Sequence, residues 1–260
     1  MIRAMYSAAA GMNSMQFNLD TISNNLANLN TTGYKKTRAD FEDLLYQTLR
    51  LAGAENGDGN KVPTGLQVGM GSRPVATQKI FTQGDYETTG NELDWAIEGR
   101  GFFKILSNGQ EYYTRDGTFK LDQDGFIVTS NGDRLQPEFS VPTNTVNINI
   151  DRYGLLSAMD SGGNVLASVQ VTTYDFSNPA GLQSIGRNLF TQTAASGDPI
   201  EGNPGTDSFG TIAQGFLESS NVQAVEEMVD MIVTQRSYEL NSKAVQTADD
   251  MLGTAVNLKR

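Results

Sequence analysis

Residues 2–36 read IRAMYSAAAGMNSMQFNLDTISNNLANLNTTGYKK, and their spacing decides the architecture. Met5, Ala9, Met12, Met15, Leu19, Ile22, Leu26 and Leu29 recur at steps of three or four, the spacing of a heptad seam on one helix. The other face is small or polar: Ser7, Ser14, Asn18, Thr21, Asn25 and Asn28. The Asn30–Gly33 run stops the helix, with Gly33 suited to positive φ.

The far end of the chain repeats this design. Val222, Val225, Val229 and Ile232 keep helical spacing. After a looser stretch, Leu240, Ala244, Ala248, Met251, Ala255 and Leu258 resume it. Ser219, Ser220 and Asn221 are N-cap candidates, and Glu226 with Glu227 suit the positive end of the helix dipole. One such stripe alone would suggest a helix packed on its own domain. Two, at opposite termini and each with a small-residue face, predict a paired coiled-coil stalk.

Between the stripes the period changes from helical to alternating. From about Val75 to Thr193 short runs such as VNINID (146–151) and NVLASVQVTTYDF (164–176) are bounded by turns. In the second run Val165, Ala167, Val169 and Val171 share a face. Asn108-Gly109, Asp116-Gly117, Asp124-Gly125, Asn131-Gly132 and Gly162-Gly163 mark the turns. The expected fold class is α+β, with an antiparallel all-β domain inserted between the stalk helices. The expected divisions are an N-terminal helix with its following loop (1–45), an extended glycine-rich connection (46–74), a β-rich domain (75–212) and a C-terminal helix (213–260). Residues 52–65 and 196–210 read as linkers, disordered in an isolated chain.

Composition narrows the chemistry. The 260 residues carry a formal charge of −11, with no basic cluster, which argues against nucleic acid or an anionic membrane surface as partner. No apolar run is long enough to span a membrane, and the N-terminus does not read as a cleavable signal. The chain has no Cys and no His, so disulfides, thiolate nucleophiles, His-ligated metals and Ser-His-Asp triads are excluded.

The remaining motifs favour structure over chemistry. Asp122-Gln123-Asp124-Gly125 resembles a calcium loop faintly, but it lacks the closing bidentate Glu and reads better as a hairpin turn. Gly99-Arg100-Gly101 and Gly69-Met70-Gly71 lack the Gly-Lys-Ser/Thr of a phosphate loop and read as bends or bulges. Glu92 with Asp94, or Asp116 with Asp122 and Asp124, could form a hydrolytic pair, yet nothing marks them as buried. Arg115 is expected to bridge locally across the Asp116-Gly117 turn, and Trp95, the one tryptophan, to anchor the β core. No catalytic residue, metal ligand or cofactor site is expected.

Ser23–Lys36 (SNNLANLNTTGYKK) resembles the signature of flagellar rod and hook proteins. GRGFF at 99–103, YTRDGTFKLDQDG at 113–125, QGFLESSNV at 214–222 and VEEMVDMIVTQRSYELNSKAVQTADDML at 225–252 extend the resemblance over essentially the whole chain. Within that family FEDLLYQ (41–47) and PTGLQVGMGSRP (63–74) resemble the distal rod branch. The resemblance implies a subunit that polymerises with itself into a hollow tube, carrying motor torque and an export channel. Its partners would be proximal rod proteins, the hook protein, the P and L rings and the flagellar type III export apparatus. Its location would be the basal body, crossing the periplasm and outer membrane, reached without a cleavable signal. The stretch from about Leu49 to Val62 would stiffen the rod. Subunit packing is expected at Met12, Leu19, Ile22, Asn24, Asn25, Leu26, Asn28, Leu29, Val225, Val229, Ile232, Leu240 and Met251. A proximal rod or hook subunit is the alternative inside the family; a carboxylate-based hydrolase and a monomeric binding module are the alternatives outside it.

Overall fold

The computed structural model describes residues 2–53, 63–206 and 208–257, and the chain divides into two compact units. Unit 1 combines residues 1–27, 37–78 and 223–260. Its helices are α1 (Ile2–Ala27) and α2 (Ala224–Asn257). Alanine and long unbranched side chains favour α1, and no proline interrupts either helix. Glu226 and Glu227 occupy the first turn of α2, where negative charge meets the helix dipole.

The helices run antiparallel, since Asn18 meets Thr234 while Asn25, one heptad on, meets Glu227. Beside them β1 (Thr37–Asp43) pairs with β4 (Ser72–Lys79), and β2 (Tyr46–Arg50) pairs with β3 (Leu66–Gly69). The connection expected to be merely extended therefore carries a hairpin, with Tyr46 opposite Gly69. The core of the glycine-rich segment, residues 54–62, lies outside the described residues, as does the expectation of its disorder.

Unit 2 comprises residues 28–36 and 79–222. Its strands are β5 (Tyr86–Thr88), β6 (Trp95–Glu98), β7 (Phe103–Ser107), β8 (Gln110–Thr114), β9 (Phe119–Leu121), β10 (Ile127–Thr129), β11 (Arg134–Gln136), β12 (Asn147–Ile150), β13 (Leu155–Met159), β14 (Val165–Gln170), β15 (Thr173–Asp175), β16 (Gln183–Gly186), β17 (Leu189–Thr191), β18 (Ile200–Gly202), β19 (Thr211–Gln214) and β20 (Phe216–Glu218). The largest sheet has seven strands in the order β16-β17-β8-β7-β11-β10-β9; β12-β13-β14 forms a second, and β15-β18, β19-β6 and β20-β5 are pairs. Asn108 and Gly109, both at positive φ, make the tight β7–β8 turn that right-handed strand twist favours. Asp122–Gly125 closes the β9–β10 hairpin through Gly125 N–H to Asp122 C=O, which is the turn its sequence suggested.

Two apolar clusters fill unit 2. One holds Trp95, Phe103, Phe119, Ile105, Leu156 and Ile212 among others, with Trp95 stacked at a tilt on Phe119 and its Nε1 donating to Glu92 C=O at 2.9 Å. The second is aromatic: Phe102, Tyr113, Tyr174, Phe176 and Phe190, with Phe81 packed against them edge-on. The run 164–176 is not one strand, because β14 ends at Gln170 and β15 belongs to another sheet. A register shift beside Met159 leaves Val165 exposed, while Ala167 and Val169 pack on the core and Val171 is buried.

Candidate assembly surfaces

In unit 1 the buried residues of the two helices are small or polar apart from Ile22. Ala8, Ser14, Ile22 and Asn25 are buried on α1, and Glu227, Thr234 and Ala248 on α2. Asn18 Nδ2 donates to Thr234 Oγ1 at 3.0 Å. Asn25 Nδ2 donates to Glu227 Oε2 at 3.2 Å and to Thr37 C=O at 2.8 Å, while its Oδ1 accepts from Thr37 N–H at 2.9 Å. Ser14 Oγ donates to Ser72 C=O at 3.2 Å. A Cβ placed on Gly11 would lie 3.0 Å from Asn241 Nδ2, so that helical glycine makes room for an amide across the interface. Ser14, Asn18 and Asn25, read from sequence as the small or polar face opposite the apolar stripe, thus face β4 and α2.

The apolar stripe of α2 turns the other way. Val225 is 76% exposed, Leu240 66% and Ile232 57%, and Val229 and Met251 are about half exposed with them. The C-terminal periodicity is real, but along α2, buried Ala248 apart, it marks the outside of the pair rather than its seam. On α1, Ile22 and Asn25 are buried; Met12, Leu19 and Leu26 are half-buried, and Asn24 is exposed. Met15, Gln16, Leu19, Gln235, Tyr238 and Glu239 line a groove of about 320 Å³ along the two helices. The β2–β3 hairpin adds further exposed apolar groups, Tyr46, Leu49 and Leu66, with Leu45 and Leu51 at its margins. Each such side chain, once covered, contributes roughly 1.5–3 kcal/mol to whatever association covers it.

The loop after α1 belongs to unit 2, which holds the half-buried Asn28 and Leu29 as well. Gly33, at φ +66°, donates its N–H to Glu218 C=O at 2.7 Å; a Cβ there would lie 2.8 Å from the Arg115 carbonyl carbon. Lys35 is fully buried and places Nζ 2.5 Å from Glu218 Oε1 and 2.8 Å from Thr82 C=O. Arg115 does not bridge across its own turn. It is buried, donates to Ile97 and Gly99 carbonyls, and stands 3.8 Å from Glu218 Oε2. Desolvation lowers the Lys35 ammonium pKa, and Glu218 opposes that shift. Asn221 caps no helix. It accepts from Lys36 N–H at 2.7 Å and donates to Ile80 C=O at 2.9 Å and to Thr82. No local sequence signal pairs Lys35 with Glu218, which are 183 positions apart.

The carboxylates weighed for hydrolysis serve turns and strands. Asp116 Oδ1 accepts from Thr118 N–H and Oγ1, Glu92 Oε2 accepts from Ile148 N–H, and Asp94 Oδ1 accepts from Asn91. Among the described residues no group of three or more acidic side chains is placed to hold a metal ion, and no helix is long and apolar enough to cross a membrane.

Three families match the chain: Flagella basal body rod protein over residues 5–35, Flagellar hook protein FlgE/F/G D1 domain over 96–158, and Flagellar basal body rod FlgEFG protein C-terminal over 213–258. Flagellar basal-body rod protein FlgG of Borreliella burgdorferi is 50% identical, with 100% of both chains covered. The protein of the same name from Bacillus subtilis is 38% identical, again over 100% of both. Flagellar hook-basal body complex protein FlhP of Bacillus subtilis is 34% identical over 97% of this chain and 98% of its own length.

Proposed function

Since the chain belongs to the flagellar basal-body rod protein family, we propose that it is a structural subunit of the distal rod, polymerising with itself into a hollow tube that transmits torque to the hook. The observation that carries this reading is the outward apolar stripe on α2, which the helix pair leaves uncovered and a second chain would bury. The exposed β2–β3 hairpin supports a further contact between subunits, at the start of the stretch that the family resemblance associates with stiffness.

The subunit-packing set is Met12, Leu19, Ile22, Asn24, Asn25, Leu26, Asn28, Leu29, Val225, Val229, Ile232, Leu240 and Met251. The members on α2 supply apolar area, and the buried ones on α1 hold the helix that presents it. We assign no catalysis to the chain, because Glu92, Asp94 and Asp116 are engaged in turns and strands and it has neither His nor Cys. Proximal rod, hook, the P and L rings and the type III export apparatus are the partners this role requires, and the periplasm and outer membrane are its location. Purified protein should form filaments above a critical concentration, seen by sedimentation and electron microscopy, and Ile232→Lys should prevent it. Filaments that form equally well from Ile232→Lys would remove α2 from the polymer contact.

A further inference from the structure

The chain passes between its two units at 27/28, 36/37, 78/79 and 222/223. On the unit 2 side, the segments that follow or precede these crossings are tied to one another by one polar network. Lys36 C=O accepts from Ile80 N–H, Asn221 joins Lys36, Ile80 and Thr82, and Asn188 Nδ2 donates to Thr32 C=O at 3.1 Å. At its centre lie the buried Lys35, Glu218 and Arg115, at 0%, 1% and 5% exposure. Glu218 Oε1 also accepts from Gly84 N–H at 3.1 Å, so this one carboxylate, at the end of β20, holds Lys35 and Gly84, two segments that precede β5.

Apolar contacts would hold these ends in place at equilibrium, but such contacts slide. Charge-assisted hydrogen bonds are short and directional, and breaking one partner away strands the other charge in a dry site. The network therefore resists separation of the ends more than it adds to stability. We propose that the Lys35–Glu218–Arg115 cluster is a mechanical latch, the element that bears load when force enters the β unit along the chain. The latch gives the torque-bearing role a molecular seat, and its physical content stands independently of that role.

The chain has no native cysteine, so handles can be introduced at will. Full-length protein carrying Ala27→Cys and Gln223→Cys is pulled in an optical trap, against a control pulled from Asn131→Cys and Ser161→Cys, at exposed hairpin turns. The pair Lys35→Met/Glu218→Gln, which removes both charges of the bridge and leaves Arg115 on the Ile97 and Gly99 carbonyls, should lower the rupture force between 27 and 223. It should leave the force between 131 and 161 unchanged. Lys35→Met alone should do the same or worse on the first axis; if it does not fold, the double variant decides. An unchanged force between 27 and 223, or an equal loss along both axes, overturns the latch. Filament assembly, measured separately, tests the rod reading, so the two can fail apart.

Discussion

The two units bury opposite kinds of surface. Unit 2 closes on Trp95, Phe103, Phe119 and a second aromatic cluster, and the side chains that fix its strands face one another. Unit 1 places Asn18, Asn25, Glu227 and Thr234 between its helices, seats Ser14 against Ser72 of β4, and leaves valines, isoleucine and leucine on the outside. A polar seam specifies which residues meet but contributes little net stability, about 0.5–1.5 kcal/mol per hydrogen bond. An apolar core does the reverse. The β unit is thus equipped to fold by itself, and the helix pair is equipped to be completed by others.

The largest loss is expected at Trp95. Trp95→Ala should cost about 3–5 kcal/mol in unit 2, read from denaturant midpoints by near-ultraviolet circular dichroism. If it costs no more than a helix substitution, the β core does not dominate. Asn25→Ala is next, because it removes both the acceptor of the Thr37 amide and the donor to Glu227. A loss of roughly 1–3 kcal/mol is expected, confined to unit 1 and visible as faster amide exchange from residue 37 to 43.

Alkali should sharpen the contrast without any mutation. Burial is the first cause that pushes the Tyr86 and Tyr113 phenols up to about 12 from 10.0, with neighbouring carboxylates assisting. An acid whose folded pKa is raised contributes stability that is complete below pH 10 and lost as pH rises through 12. Unit 2 should therefore weaken over that window, with a late-titrating tyrosine fraction in the ultraviolet difference spectrum. A single tyrosine titration centred near 10 would contradict this. The smallest effect on the free chain is expected at Ile232→Lys and Leu240→Lys, within about 0.5 kcal/mol, since both positions are exposed. The same variants should lose polymerisation, and α1 and α2 amides in dilute protein should exchange faster than those of β7 and β8.

The two helices and the antiparallel insert were legible because each has a period, 3.5 or 2, that neighbouring residues report. The facing of α2 was not. Periodicity shows that Val225, Val229 and Ile232 share a side; what covers that side depends on whether the partner is in the same chain. The inner seam was legible only in part: Asn and Ser at heptad spacing read as a small or polar face, but which groups they meet is known only once their hydrogen bonds are seen. Lys35, Glu218 and Arg115 were out of reach altogether. Their neighbours in sequence say nothing of burial, and only the closed topology brings the three together.

Gly11 sits in mid-helix, where glycine costs about 1 kcal/mol relative to alanine, and faces Asn241. Asn18 facing Thr234 and Asn25 facing Glu227 follow at intervals of one heptad on both helices. The three layers act as graduations on a scale. A slip of one turn, about 5.4 Å, would bring Asn241 from the glycine notch to the level of Ser7 or Met15, where a side chain already stands. A pair of helices with a smooth small-residue interface could be read at several settings; the notch and its two polar marks leave one.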